Sequence, residues 1–288
     1  MSNYQWVDRQ TYPFASHHYS HPDGTIHYVD QGEGQVVVLL HGTPTWSYLY
    51  RGLIGPLSKQ FRVIAPDMLG FGLSDKPRDV DYSVQAQAQR IADFLDQLEV
   101  PSFHLVVHDF GGPIGLNYAL QHPDRIRSLS IANSWMWSAR GEPAFEKMAK
   151  TLSSPLLPIL YRWFNFSARV LLPQGFGNRR LLSKKIHRHY LAPLGRGQRE
   201  APLGLANSLL AGQDWFAGLW EQREQLAEIP ALIIWGMKDR FLEAGYAERL
   251  ASIWSESPKM LRLPEAGHFV WEEATEQILS VLREHLRG

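Results

Sequence analysis

Hydrophobic positions along this chain fall into short apolar runs separated by stretches with a helical period. Val36–Leu40 is apolar throughout, and Arg62–Ala65, Phe103–Val107, Ile126–Ala132, Ala231–Trp235 and Met260–Leu263 are apolar over most of their length. Runs this short and rich in branched residues predict strands covered on both faces. Helical patterns lie between them: Trp46, Leu49, Leu53 and Leu57; the stretch Tyr82–Leu98; Ile114, Leu116, Tyr118, Ala119 and Leu120; and a last helix over Glu272–Leu286. Strands alternating with helices predict an α/β fold with a mostly parallel central sheet flanked by helices. Residues 1–35 alternate around turns at Pro22-Asp23-Gly24 and Gly32-Glu33-Gly34, which predicts edge strands.

The rhythm stops after Asn133. From Trp135 to about Trp215 there are helical patterns and many bulky residues but no strand-like run. This predicts a core in two parts, 1–134 and 216–288, with a helical cap, 135–215, inserted over the carboxyl edge of the sheet. Open α/β sheets bind ligands at that edge. The basic run Arg179–His189 reads as a solvated helix face, with Leu181, Leu182 and Ile186 on its buried side.

One stretch carries the candidate chemistry. The strand Phe103–Val107 runs into His108-Asp109-Phe110-Gly111-Gly112 and then a helix. A strand, a sharp turn and a helix form the setting of a nucleophile elbow, and small residues let the helix start close to the strand. The side chain at the tip is Asp109, a carboxylate. Asp is also a common helix cap, so this turn alone decides nothing. Two further polar groups follow strands: Asp239 after Ala231–Trp235, and His268 after Met260–Leu263. Nucleophile, acid and base in that chain order match the order of an α/β-hydrolase triad. No Gly-x-Ser-x-Gly occurs, which argues against a serine hydrolase.

Composition narrows the classes. The 288 residues carry 29 Lys+Arg and 29 Asp+Glu, so no basic footprint for nucleic acid or a membrane surface is expected. The chain has no cysteine, which excludes disulfides, thiolate metal sites and cysteine nucleophiles. Gly70-x-Gly72 lacks the third glycine of a dinucleotide loop, and no His-Glu-x-x-His is present. No metal and no organic cofactor are implied. Met1–Phe14 has no signal-peptide pattern, so a cytoplasmic protein, monomeric or weakly homo-oligomeric, is expected.

The chain resembles α/β-hydrolases of the haloalkane dehalogenase and epoxide hydrolase branch. The likeness covers His41–Arg51, the Pro66–Pro77 loop, His108–Gly112, the Asp239 loop and Gly267-His268-Phe269. The first and third segments are especially similar to haloalkane dehalogenases. The resemblance implies a small apolar substrate and water, with Asp109 as nucleophile, His268 as base and Asp239 as its orienting acid. It also implies an oxyanion hole from the backbone N–H groups of Thr43 and Phe110.

Dehalogenases hold the departing halide with two side-chain N–H donors. One is usually a Trp directly after the nucleophile, where this chain has Phe110, whose side chain has no donor. The other is a cap Trp, or an Asn directly after the His-Gly pair, where Thr43 stands. By spacing, Trp163 is then the cap candidate. Epoxide hydrolases instead supply an acid from cap tyrosines, for which Tyr190 and Tyr161 are the candidates. The reading is therefore a hydrolase cleaving carbon–halogen bonds through an alkyl-aspartate. The alternatives are an epoxide hydrolase with the same triad, or a non-catalytic binding protein of this fold.

Overall fold

The computed structural model describes residues 5–288. Eight strands form one sheet: β1 His17–His21, β2 Gly24–Gln31, β3 Val36–Leu40, β4 Arg62–Pro66, β5 Phe103–His108, β6 Ile126–Ala132, β7 Ala231–Gly236 and β8 Lys259–Leu263. Their spatial order is β1-β2-β4-β3-β5-β6-β7-β8. The first two join antiparallel, β1 to β2 and β2 to β4, and every later neighbour is parallel.

Twelve α-helices connect or flank these strands among the described residues. They are α1 Arg51–Leu57, α2 Val84–Gln97, α3 Gly111–Gln121, α4 Pro143–Leu152, α5 Leu157–Phe164, α6 Leu172–Gly175, α7 Lys184–Leu191, α8 Glu200–Ala211, α9 Gln213–Glu221, α10 Gly245–Ala251, α11 Val270–Glu273 and α12 Thr275–Arg287. None is long and apolar enough to cross a membrane. Between β6 and β7 the described chain contains α4–α9 and no strand.

The unbroken apolar runs are explained by two cores, one on each face of the sheet. Val36, Val38 and Leu40 of β3, with Leu105 and Val107 of β5, pack toward α2 and α3. Val37 and Leu39, with Val106, pack the other way against Leu53 and Leu57 of α1 and Ile278 and Leu282 of α12. Side chains alternate along a strand, so a strand helix-covered on both faces must be apolar at every position. A smaller cluster, Leu157, Tyr161, Leu203 and Ala206, ties α5 to α8.

Several helix boundaries differ from the periodic pattern. The predicted helix beginning at Trp46 is a 3-10 turn, Ser47–Tyr50, running into α1. The last helix is two pieces, because Ala274 at φ −141° interrupts it. Leu181, expected on a buried face, is 42% exposed. It ends a 3-10 turn, Arg179–Leu181, that breaks before α7, so it shares no continuous helix face with Ile186.

The close approach of α3 to the sheet requires Gly111. A Cβ there would meet the Leu40 carbonyl oxygen at 2.3 Å. Backbone cannot rotate away as a side chain can. Gly111→Ala is therefore expected to destabilise the fold by about 1–3 kcal/mol or more. Urea denaturation of the variant checks this, and an unchanged midpoint would contradict the packing described here.

Candidate active site

Three strand ends bring Asp109, Asp239 and His268 together. Asp109 follows β5 with φ 51°, a left-handed conformation that costs an L residue on the order of 1–2 kcal/mol. Hydrogen bonds hold it there: its N–H donates to Asn133 O at 3.2 Å, and its carbonyl accepts from Ser134 Oγ at 2.7 Å and Gly112 N at 2.9 Å. The carboxylate reaches the loop after β3, where Thr43 N–H donates to Oδ2 at 2.8 Å. Gly42 makes room, since a Cβ there would lie 2.3 Å from Oδ2. The other oxygen, Oδ1, is 3.5 Å from His268 Nε2. The backbone N–H of Phe110 has no hydrogen-bond partner among the described residues.

On its far side, His268 Nδ1 lies 2.7 Å from Asp239 Oδ2. Asp239 is itself fixed by Phe241 N–H to Oδ1 at 2.7 Å and Asn133 Nδ2 to Oδ2 at 2.8 Å. Asn133 Oδ1 in turn accepts from Gly236 N at 2.9 Å. The His268 backbone is held at both ends: its N–H donates to Gly175 O at 2.7 Å, and its carbonyl accepts from His108 Nε2 at 2.8 Å. Burial and the neighbouring His268 lower the His108 pKa to about 4, so it is a neutral donor here.

Asp109, Thr43, Phe110 and His268 line a cavity of about 410 Å³ whose other walls are mostly apolar, including Phe145, Leu157 and Phe166. Among the described residues no cluster of His, Cys, Asp and Glu forms a metal site.

The chain compares closely with known proteins. The family described as alpha/beta hydrolase fold matches residues 35–275. Haloalkane dehalogenase 2 of Mycobacterium bovis is 35% identical over 96% of both chains. The chain belongs to the α/β-hydrolase family. A cis-3-alkyl-4-alkyloxetan-2-one decarboxylase of Shewanella oneidensis is 31% identical, over 94% of this chain and 88% of the relative. Among solved structures, a putative ancestral haloalkane dehalogenase superposes with TM-score 0.84 at 26% identity, covering 94% of this chain and 98% of the other. The dehalogenase DatA from Agrobacterium tumefaciens C58 does so with TM-score 0.83 at 25% identity, covering 95% and 96%. The protein is a hydrolase of the haloalkane dehalogenase type.

The hydrolase puts the other expected side chains in different places. Tyr161 lines the cavity, and its hydroxyl has no partner among the described residues. Burial and the Asp109 carboxylate push its pKa up to about 12, so the O–H stays intact at neutral pH. Trp163 does not line this cavity. It is 57% exposed, with the Arg196 guanidinium 4.4 Å above its ring. The reason is helical phase: Leu157 and Tyr161, four apart on α5, face inward, and a residue two beyond Tyr161 points away. Tyr190 does not line the cavity either. It is buried and donates to Glu272, which also pairs with Arg51 at 2.7 Å.

Two residues that the sequence reading did not assign to the site belong to this arrangement. Asn133, directly after β6, spans Asp239 and β7. Trp135, two residues on, lines the cavity and meets Phe110 edge-on with ring centroids 5.0 Å apart. Its indole N–H has no partner among the described residues. Proximity to the end of a central strand was the available signal for both.

Electrostatics in the hydrolase favour a charged imidazole. Burial pulls the His268 pKa down, but the Asp239 and Asp109 carboxylates outweigh it and hold it at about 10. Burial pushes Asp239 up, yet His268 and the surrounding donors keep it below the usual carboxylate range. A histidine raised from about 6.5 in the unfolded chain stabilises the fold fully below that pH, and the contribution disappears as pH rises through about 10. Stability measured by urea denaturation should therefore fall between pH 7 and 10.5. Asp239→Asn should fall less across the same window. Equal slopes in the two proteins would contradict the pairing.

Proposed function

We propose that this hydrolase displaces a leaving group from saturated carbon through an ester on Asp109, with haloalkanes as the substrate class. The observation that carries the reading is the Asp109 carboxylate at the floor of an apolar cavity, flanked by an imidazole that a second carboxylate orients. A carboxylate is a weak nucleophile toward an acyl carbon but displaces a leaving group from alkyl carbon.

In the first step Asp109 Oδ1 bonds to the substrate carbon as the carbon–halogen bond breaks and halide departs. Oδ2 stays on the Thr43 N–H. Esterification removes the Asp109 charge, and with it part of what keeps His268 protonated. The imidazole can then release its proton to solvent, matching the halide released, and accept one from water at Nε2. That water attacks the Asp109 carboxyl carbon. Negative charge develops on Oδ2, where the Thr43 N–H already points and the Phe110 N–H is free to join. Losing one such donor typically costs about 3 kcal/mol of barrier. On collapse the imidazolium proton passes to the departing alkoxide, giving the alcohol, and the proton left on the Asp109 carboxyl returns to His268, restoring the starting site. Asp239 keeps the tautomer and offsets the imidazolium charge. The segment 135–215 acts as the cap, since Phe145, Leu157, Tyr161 and Phe166 supply much of the apolar wall.

A halide leaving from carbon needs donors that Phe110 lacks. Trp135, packed against Phe110 with a free indole N–H, supplies one, and the Tyr161 O–H supplies a second. Tyr161 also favours the alternative of an oxygen leaving group, because a phenol that stays protonated is an acid for an opened epoxide. The Shewanella relative acts, by its name, on an oxetanone, a strained oxygen ring.

Two measurements test this reading. With 1-bromohexane, His268→Asn should accumulate a hexyl adduct on the Asp109 peptide, detectable by mass. Bromide release by the unaltered protein with no adduct in the variant would rule the covalent route out. The leaving group is separated by two conservative changes. Trp135→Phe should lower bromide release about 10- to 100-fold, the size of a lost hydrogen bond to a charged group. Tyr161→Phe should abolish epoxide opening and affect bromide release less. Epoxide opening by the unaltered protein with no bromide release would make oxygen the leaving group.

A further inference from the structure

A second cavity, of about 460 Å³, shares no lining residue with the first. Its walls are Arg78, Arg162, Trp163, Arg196, Arg199 and Glu200, with Gly197. Four arginines face one glutamate in a chain whose formal net charge is +0, so positive charge is concentrated here.

The individual partners sharpen this. Glu200 is fully engaged by Arg162, with Nε to Oε1 at 2.8 Å and Nη2 to Oε2 at 2.8 Å. Arg199 is only 9% exposed, yet it has no carboxylate partner among the described residues. Two backbone carbonyls orient it instead: Nε donates to Leu194 O at 2.8 Å and Nη1 to Arg162 O at 2.7 Å. Burial and the nearby positive charges of Arg169 and Arg196 both press on it, so its pKa is lowered. Arg196 stacks on Trp163 and has no acidic partner among the described residues. Arg78 packs against Gly197, where a Cβ would lie 2.5 Å from Nη2, and it too has no acidic partner among the described residues.

A buried guanidinium without a counter-charge is costly, and arginine's planar fork matches the oxygens of phosphate. We propose that this cavity binds a phosphate-type oxyanion, with Arg199 as its fixed floor and Arg78 and Arg196 closing over it. Two sources share that chemistry, a free phosphorylated molecule and a phospholipid head group. The second gains weight from Leu156, Ile159 and Phe164, all exposed on α5 or at its start.

The test uses inorganic pyrophosphate by isothermal titration, with sodium chloride holding ionic strength constant. Saturable binding is expected. It should weaken at least tenfold in Arg78→Glu/Arg196→Glu, whose altered side chains are at the surface, and severalfold in the milder Arg196→Gln. Sedimentation with phosphatidylglycerol vesicles, against phosphatidylcholine alone, separates the sources. Vesicle binding displaced by pyrophosphate assigns the head group, and pyrophosphate binding without vesicle binding assigns a free ligand. If neither binds, or if the variants bind as well as the unaltered chain, the proposal is overturned. None of these readouts depends on Asp109 chemistry.

Discussion

The Asp109 carboxylate meets the His268 imidazole at the floor of a largely apolar cavity, and much of this structure holds that contact in place. The carboxylate accepts from a backbone donor, the Thr43 N–H, and faces an imidazole held positive. The imidazole is positive because Asp239 lies behind it, and Asp239 is anionic because Asn133, the Phe241 N–H and His268 surround it. Each charge is therefore supported by the next one out. Backbone conformation follows the same need. The left-handed Asp109, the absent side chains at Gly42 and Gly111, and the two-ended clamp on the His268 backbone all serve to bring three strand ends within hydrogen-bond reach.

In the proposed reaction one histidine would be a cation before esterification and a base afterwards. Two carboxylates and one imidazolium carry a net negative charge in the resting site. An alkyl group on Asp109 would neutralise one carboxylate, leaving a single ion pair between His268 and Asp239. The field that held the proton on His268 weakens at the moment a base is needed. That scheme requires no movement of the chain, because the switch would be the charge on Asp109. Water exclusion by the apolar wall makes each of these interactions stronger than it would be in solvent.

Much of this was legible in the sequence, and the limits have physical causes. The core strands read clearly because side chains on both faces of β3, β5 and β7 must be apolar, which leaves an unbroken run. Asp109, Asp239 and His268, which the structure brings together, could be picked out because each lies in the loop or turn that follows a strand-like run. The helical segment was harder. An α-helix exposes and buries residues every few positions, so an aromatic residue there is not assigned a side by its neighbours alone. Trp163 and Tyr161 are two residues apart on α5, and only Tyr161 faces the cavity. Tyr190 was equally ambiguous until its hydroxyl was found on Glu272. Trp135 sat in plain view after β6, but as one bulky residue among many its position meant little until Phe110 was seen against its ring.

That contact bears on what Phe110 does. A tryptophan directly after the nucleophile would bring both bulk and a ring N–H. Phenylalanine brings the bulk without the donor, and an edge-on neighbour with a free N–H changes what is lost. In the proposed reaction the donor would come from a residue two positions past Asn133, whose side chain steadies Asp239. Leaving-group assistance and orientation of the base would in that case share one short segment, Asn133–Trp135, whose middle residue, Ser134, also holds the Asp109 carbonyl. A displacement of that segment would be felt at the nucleophile, the acid and the donor together. In the proposed reaction the side-chain donor for the leaving group would thus stand at the end of β6 rather than at the elbow, and the contacts among Asp109, His268 and Asp239 do not involve it.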